Sequence, residues 1–155
     1  MIGLGVFIMG GLFISYIINI NLLIKVILNP FCFFTTDENE KNRDKRQVLT
    51  VTLTAAFLLL ILVILNLFLV VLMIWSIWPN SYYCSVSGAS ISEFDLFYYT
   101  VVSFTTIGYG DIVPSIIQSK IAAVLIAFTS VFCLVIFVGS ALSAKDKLYQ
   151  NNPED

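Results

Sequence analysis

The sequence contains little charge for its length. Of its 155 residues, 12% are Asp, Glu, Lys or Arg, whereas 59% are hydrophobic. A soluble domain carries about 25% charged residues, so this composition is too poor in charge for a surface that faces only water. We therefore expect a lipid bilayer to cover much of the chain.

Several classes of functional site lack the residues that they need. The chain has no histidine and only three scattered cysteines, so a zinc site or a histidine-based site has little support. No nucleophile–base pair is visible, which argues against an enzyme. The net charge of -2 offers nothing that would attract nucleic acid. We expect no catalytic residues, no cofactor and no nucleic-acid partner.

The N-terminal segment lacks charge altogether. The residues from Ile2 to Leu23 include no Asp, Glu, Lys or Arg. A signal peptide would begin with basic residues and would have a shorter apolar core. The pattern instead predicts a transmembrane helix over residues 1–29 that is retained in the protein.

Three apolar segments are long enough to cross a bilayer, which takes about 20 residues per helix. They cover residues 1–29, 48–78 and 115–143. A proline, which interrupts a helix or starts one, stands next to an end of each segment: Pro30, Pro79 and Pro114. The sequence therefore predicts an all-α integral membrane protein.

The distribution of basic residues predicts its orientation. The loop at 30–47 holds four of the eight Lys and Arg residues, and Lys145 and Lys147 lie in the short tail at 145–155. Residues 80–91 contain none. Because basic residues favour the cytoplasmic side, we expect this loop and the C-terminus in the cytoplasm and the N-terminus outside. A plasma membrane is the default location.

A further apolar segment, at 92–105, is too short to span. Ser92 and Asp95 have the spacing of a capping box, which predicts that a helix begins here. A Gly-Tyr-Gly sequence follows at 108–110, so the chain turns back instead of crossing. Non-helical backbone at this depth is tolerated only where protein buries it or where it lines a water-filled path. We therefore expect a re-entrant helix.

The segment at 106–111 reads Thr-Ile-Gly-Tyr-Gly-Asp, and it can form a stack of carbonyl groups. Carbonyls that point to one side need alternating right- and left-handed backbone torsions. Gly108 and Gly110 adopt the left-handed region without a steric penalty. The hydroxyl of Thr106 adds an oxygen at one end. Stacked oxygens of this kind can replace the hydration shell of a cation.

Residues 105–111, Thr-Thr-Ile-Gly-Tyr-Gly-Asp, resemble the signature of potassium channels, a family that is the standard example of ion selection by backbone carbonyls. The resemblance is closest to the small pore-only members and extends over residues 48–144. It implies a potassium-channel pore domain preceded by one extra transmembrane helix. The parts of that domain are an outer helix at 48–78, a pore helix at 92–105, a filter at 106–111 and an inner helix at 115–143.

The resemblance also implies what the site binds and how it assembles. K+ would be the permeant ion, conducted passively. Its ligands would be the carbonyls of the filter residues Thr106, Ile107, Gly108 and Tyr109, with Gly110 completing the ion-binding segment. Each chain carries one filter, so we expect four chains around a four-fold axis, as a homotetramer.

Residues around the filter are expected to support it. Asp111 would lie at the outer mouth, where a carboxylate attracts cations. Tyr98 and Tyr99 either brace the filter, with Tyr98 hydrogen-bonded to Asp111, or pack against the outer helix. Thr105 precedes the filter. Val102 stands where some bacterial members have a buried glutamate, so the interaction made by that carboxylate should be absent here.

The candidate residues for a cavity or a gate lie on the inner helix. Many members of the family have a hinge glycine about 20 residues after the filter, but residues 127–131 contain none. Gly139 is either a displaced flexible point or, as we favour, a small residue for close helix packing. Thr129 and Ser130 either line a water-filled cavity or bond back within their own helix.

Some alternatives stay open. A non-conducting partner subunit is disfavoured by the complete filter, and a weakly selective cation channel is disfavoured by Tyr109. No span carries the repeated arginines of a voltage sensor. Cys84 either forms a disulfide between subunits or remains a thiol, whereas Cys32 and Cys133 are expected to pack among apolar residues. The N-terminal helix either packs outside the outer helix or recruits a partner.

Overall fold

The computed structural model describes residues 2–28, 45–85 and 90–149. In chain order these residues form helix α1 (Ile2–Leu28), helix α2 (Lys45–Ile77), strand β1 (Tyr82–Cys84), helix α3 (Glu93–Phe104), strand β2 (Ile112–Pro114) and helix α4 (Ile117–Tyr149). The predicted helical membrane architecture is confirmed. The extra N-terminal helix is α1, the outer helix α2, the pore helix α3 and the inner helix α4.

Two helices of the described chain are long and apolar enough to cross a membrane, over Leu53–Ile77 in α2 and Ile117–Val138 in α4. All of α2 has 33 residues, which is about 50 Å at a rise of 1.5 Å per residue and exceeds the ~30 Å of hydrocarbon in a bilayer. This helix must therefore tilt or extend beyond the lipid. The corresponding apolar stretch in α1 is shorter, at Gly10–Val26.

Helix ends differ from the predicted ones where the sequence contains no breaker. The inner helix was expected to end at 143, but α4 continues to Tyr149. Residues 144–149 are mostly good helix formers and include neither glycine nor proline, so nothing interrupts the helix there. The helix α2 likewise begins at Lys45, inside the predicted loop at 30–47. The rest of that loop, with Cys32, and the end of the predicted tail lie outside the described residues.

A single apolar core joins all four helices, and α1 contributes the buried Leu23 to it. On α2 the most buried side chains recur at intervals of three or four residues: Val63, Leu67, Val71 and Ile74. This is the spacing of one helix face. They pack with Leu96 of α3 and with Ile126 of α4, which are fully buried. The core therefore fixes the short helix α3 between the two spans.

Besides this apolar packing, polar contacts join helix α1 to the other two long helices. The Asn66 amide of α2 donates a hydrogen bond to the Ser15 hydroxyl of α1 at 3.0 Å. The Tyr16 hydroxyl of α1 lies 2.5 Å from the Thr129 hydroxyl of α4. In lipid, polar side chains such as these join helices because they have no water to bond instead. The prediction that α1 packs on the outer helix is thus met, and α1 also reaches the inner helix.

The Tyr16–Thr129 hydrogen bond can be tested by a double-mutant cycle. Tyr16→Phe and Thr129→Val each remove one hydroxyl and keep most of the side-chain shape. We expect a coupling free energy of about 0.6 kcal/mol, which is the average for polar contacts between membrane helices. The measurement is the free energy of unfolding of the purified protein in detergent. Strictly additive effects of the two substitutions would show that the two hydroxyls do not interact.

The described chain also contains a two-stranded ribbon that the sequence did not reveal. Strand β1 pairs with β2 in antiparallel register, with Tyr82 opposite Pro114 and Cys84 opposite Ile112. At one end the Ser115 amide donates to the Ser81 carbonyl at 2.9 Å, and the Ser115 hydroxyl donates to the Asn80 carbonyl. The ribbon ties the end of α2 to the segment between the filter and α4.

Candidate functional site

Helix α3 begins with the predicted capping box. The Asp95 carboxylate accepts hydrogen bonds from the Ser92 amide at 2.8 Å and from the Ser92 hydroxyl at 2.7 Å. The Ser92 hydroxyl oxygen in turn accepts from the Asp95 amide at 3.3 Å. The bonds from Ser92 stabilise the ionised carboxylate and lower the pKa of Asp95 below its usual value. The start of the helix is therefore fixed by its own sequence.

The end of α3 organises the backbone that follows. The amides of Thr106, Ile107 and Gly108 all donate back to it, to the Ser103 carbonyl at 3.1 Å and to the Val102 carbonyl at 3.1 and 3.3 Å. In a trans peptide unit the C=O points away from the N–H. The carbonyls of residues 105, 106 and 107 consequently all point away from α3. The geometry therefore contains a row of carbonyls on one side of the chain.

Backbone torsions alternate along the filter. Thr106, Gly108 and Gly110 have positive φ values of 61°, 56° and 75°. The two glycines were predicted to adopt this region, but Thr106 was not. A β-branched residue rarely does so, and such strain is concentrated at functional sites. Gly108 and Gly110 are two residues apart. The same spacing, continued toward the N-terminus, leads to Thr106 and could have predicted its positive φ.

Thr105 and Val102, two of the predicted support residues, bond through backbone and hydroxyl groups at the end of α3. The Thr105 hydroxyl donates to the Val101 carbonyl at 2.9 Å and to the Val102 carbonyl at 3.2 Å. The Val102 carbonyl thus accepts from Thr105 as well as from two filter amides. This concentration of donors satisfies the carbonyls that a helix leaves unpaired at its C-terminus.

The two tyrosines of α3 take different roles. The Tyr98 hydroxyl lies near the Asp111 carboxylate, and the predicted hydrogen bond between them stays a prediction. Tyr99 is buried, and its ring lies 5.2 Å from the ring of Tyr82 in β1. Tyr98 therefore lies beside Asp111 at the end of the filter, whereas Tyr99 packs α3 against the ribbon.

Asp111 is held on several sides. One of its carboxylate oxygens accepts from the Ile112 amide at 3.0 Å. Its backbone carbonyl accepts from the Ser85 amide at 2.7 Å. A carboxylate fixed in this way presents its charge at a constant position beside the end of the filter.

Ser85 is a site residue that the sequence analysis missed. Its hydroxyl donates to the Gly110 carbonyl at 2.8 Å and lies 3.2 Å from the Asp111 carbonyl. Gly110 was expected to bind the ion along with residues 106–109, but its carbonyl is turned toward Ser85. Ser85 follows β1, and its position was unpredictable because it depends on the pairing of two distant strands.

The filter lies along an exposed side of the single chain. Ile107 and Tyr109 are 57% and 68% exposed. Exposed apolar side chains of this size mark an interface. In the single chain, the segment at 106–111 is therefore not enclosed.

The candidate cavity residues lie on α4. Thr129 and Ser130 are both buried within the single chain, at 4% and 6% exposure, and the Thr129 hydroxyl donates to the Leu125 carbonyl at 2.6 Å. The prediction that they bond back within their own helix therefore holds for Thr129, which faces α1. Phe128, one residue away, is 73% exposed. Gly139 lies within α4, but its surroundings fall outside the described residues.

Cys84 lies in β1 and is half-buried, and the buried Cys133 belongs to the apolar core, as predicted. The disulfide between subunits at Cys84 stays a prediction.

Comparison with known proteins agrees with the geometry. The model of a family described as "Ion channel" matches residues 48–144, so the chain belongs to this family of ion channels. Among its curated relatives, the two-pore potassium channel 4 of Arabidopsis thaliana is 32% identical over 133 residues, which is 84% of this chain and 43% of that protein.

Two shorter matches also fall on potassium channels. A voltage-gated potassium channel of Aeropyrum pernix is 32% identical over 41% of this chain and 21% of that protein. The A-type voltage-gated potassium channel KCND3 of Rattus norvegicus is 35% identical over 42% of this chain and 10% of that protein. The chain thus spans less than half the length of these relatives. No solved structure matches it significantly.

The family model and the fold together define an ion-channel domain in an integral membrane protein, and the relatives reported above are potassium channels. The family is one of channels and not of enzymes.

Proposed function

We propose that the chain is a subunit of a K+-selective channel that conducts K+ passively through its filter. The observation that carries this proposal is the row of carbonyls at 105–107, which point away from α3 while their neighbouring amides bond to it. Oxygens in this arrangement can replace the water that K+ loses on entering a narrow path. The ligands of the ion are the carbonyls of Thr106, Ile107, Gly108 and Tyr109, and no cofactor is needed.

The functional unit is a homotetramer. A single chain exposes its filter on one side, so closing the path takes further copies, and cyclic symmetry provides them. The inner helix α4 supports the same arrangement, because it leaves large apolar side chains exposed on the faces that do not meet α1 or α2, among them Ile121, Phe128 and Leu134. These side chains would meet neighbouring chains or lipid.

The protein is oriented with its N-terminus and the ribbon outside and its C-terminus in the cytoplasm, in a plasma membrane. The support is the positive-inside pattern, with basic residues in the segment at 30–47 and at the end of the inner helix, where Lys145 and Lys147 lie. In this orientation Asp111 lies at the outer mouth, where its charge attracts cations.

The test is the reversal potential of the purified protein in planar bilayers under opposed K+ and Na+ gradients. We expect a value close to the K+ equilibrium potential. A value near zero would show a weakly selective cation channel and would overturn the proposed selectivity. Absence of current from the chain alone, with current restored by a second channel subunit, would instead identify a non-conducting partner subunit.

A further inference from the structure

The ribbon and the filter meet at Ser85. Three hydrogen bonds run from this residue to the end of the filter: its hydroxyl to the Gly110 carbonyl at 2.8 Å, its hydroxyl to the Asp111 carbonyl at 3.2 Å and its amide to the Asp111 carbonyl at 2.7 Å. All three acceptors are backbone oxygens. Ser85 therefore constrains the backbone at residues 110 and 111 and not a side chain.

Ser85 is held in place by the strand before it. Cys84 lies opposite Ile112, so the next pair in the antiparallel register is Ser85 with Asp111. The bond between the Ser85 amide and the Asp111 carbonyl continues the ladder of the ribbon by that pair. The far end of the ribbon is closed by Ser115. The position of the Ser85 hydroxyl is consequently set by backbone pairing between the two strands and not by a loop.

Gly110 is the filter residue that most needs such a partner. Its φ of 75° lies in a region that glycine enters and leaves easily. Residues 106–108 have their amides bonded to α3, whereas the Gly110 carbonyl is bonded to Ser85. Hydrogen bonds to the pore helix thus hold residues 106–108, whereas a hydrogen bond to Ser85, which follows β1, holds Gly110.

We propose that Ser85 is a positioning residue for the outer end of the filter. By binding the Gly110 carbonyl, its hydroxyl keeps the last peptide of the filter from rotating, and so preserves the ion-binding carbonyls of Gly108 and Tyr109 when few ions occupy them. This inference rests on the proposed K+ conduction. K+ bound between the carbonyls opposes the same rotation, so the need for Ser85 rises as the K+ concentration falls.

The experiment compares three variants in planar bilayers. Ser85→Ala removes the hydroxyl, and Ser85→Thr retains it. Ser115→Ala is the matched control, because it removes a serine hydroxyl that bonds to a backbone carbonyl at the opposite end of the same ribbon, far from the filter. The measured quantity is the K+ concentration on the ribbon side that sustains half of the maximal current.

For Ser85→Ala we expect this K+ concentration to rise about 3- to 10-fold, the factor that corresponds to loss of one ordinary hydrogen bond. Ser85→Thr and Ser115→Ala should remain close to the unsubstituted chain. Equal K+ dependence in Ser85→Ala and the unsubstituted chain would overturn the inference. So would an equal shift in Ser115→Ala, because the effect would then belong to ribbon stability alone.

Thermal unfolding provides a second measurement, which does not need the variant to conduct. K+ should raise the thermal unfolding midpoint of the purified protein, and Ser85→Ala should need several-fold more K+ for the same rise. Ser115→Ala should lower the midpoint equally at all K+ concentrations. An unchanged K+ dependence in Ser85→Ala would again overturn the positioning role. If the unsubstituted chain passes no K+-selective current, the proposed function itself fails, which is a different result from a conducting chain that tolerates Ser85→Ala.

Discussion

Replacing Gly108 with alanine is expected to abolish K+-selective current. Gly108 has a φ of 56°, a region in which an L side chain meets its own backbone at a cost of about 1–2 kcal/mol per residue. Four chains would each incur that cost at the same level of the path. The backbone can avoid it only by rotating, and rotation turns carbonyls of the stack away from the ion. Current should fall by about 1000-fold or more, because this cost in four chains sums to about 4–8 kcal/mol and each 1.4 kcal/mol is tenfold.

We expect the loss of current in Gly108→Ala to come from backbone torsion and not from steric crowding, and the two causes can be separated. A methyl group added at Gly108 meets no other atom of the described chain within 4 Å, and the same is true at Gly10 in α1. Gly10 lies within the regular helix α1, however. Gly10→Ala is therefore a matched control in which we expect normal current. Retained selective current in Gly108→Ala, measured by the reversal potential, would contradict the assignment of 106–111 as the filter.

Replacing Tyr109 with aspartate is expected to relax the discrimination against Na+. The Tyr109 side chain is 68% exposed in the single chain, so the proposed tetramer has to cover it. A ring packed against a neighbouring chain would hold the filter at the diameter that suits K+. Aspartate is shorter and charged and cannot fill the same space. Under a K+/Na+ gradient the reversal potential should therefore move from the K+ equilibrium potential toward zero.

Tyr83 provides the control for this substitution. It lies in β1 and is 54% exposed, so Tyr83→Asp places the same charge on a nearby exposed tyrosine away from the filter. We expect Tyr83→Asp channels to keep their reversal potential. Unchanged selectivity in Tyr109→Asp would remove the bracing role of this residue and leave the carbonyl stack as the whole basis of selection.

The position of α1 gives the extra helix a physical connection to the pore. The family model begins at residue 48 and so does not include α1. In the structure Tyr16 of α1 meets Thr129 of α4, and Ser15 of α1 meets Asn66 of α2. Any displacement of the inner helix relative to α1 would break the first of these bonds. The double-mutant cycle described above measures how strongly the two helices are joined.

Local patterns in the sequence were enough to predict most of the elements. The three apolar segments, each next to a proline, predicted the long helices, because length and hydrophobicity alone decide whether a segment suits a bilayer. Ser92 and Asp95 predicted the start of α3, since a capping box involves residues only three apart. Gly108 and Gly110 predicted two of the three positive φ values, because only glycine adopts that region at little cost.

By itself, then, the sequence determined where the long apolar helices lie, where α3 begins and which two glycines take a positive φ, all of which depend on neighbouring residues. The tertiary structure alone decided three other features. Ser85 reaches Gly110 only because β1 and β2, 27 residues apart, pair with each other. Thr129 faces Tyr16 and not an open cavity, because α1 packs beside α4. Thr106 takes a positive φ because the amides around it bond to α3. Each of these depends on contacts between distant segments, and a pattern read along one segment contains no information about them.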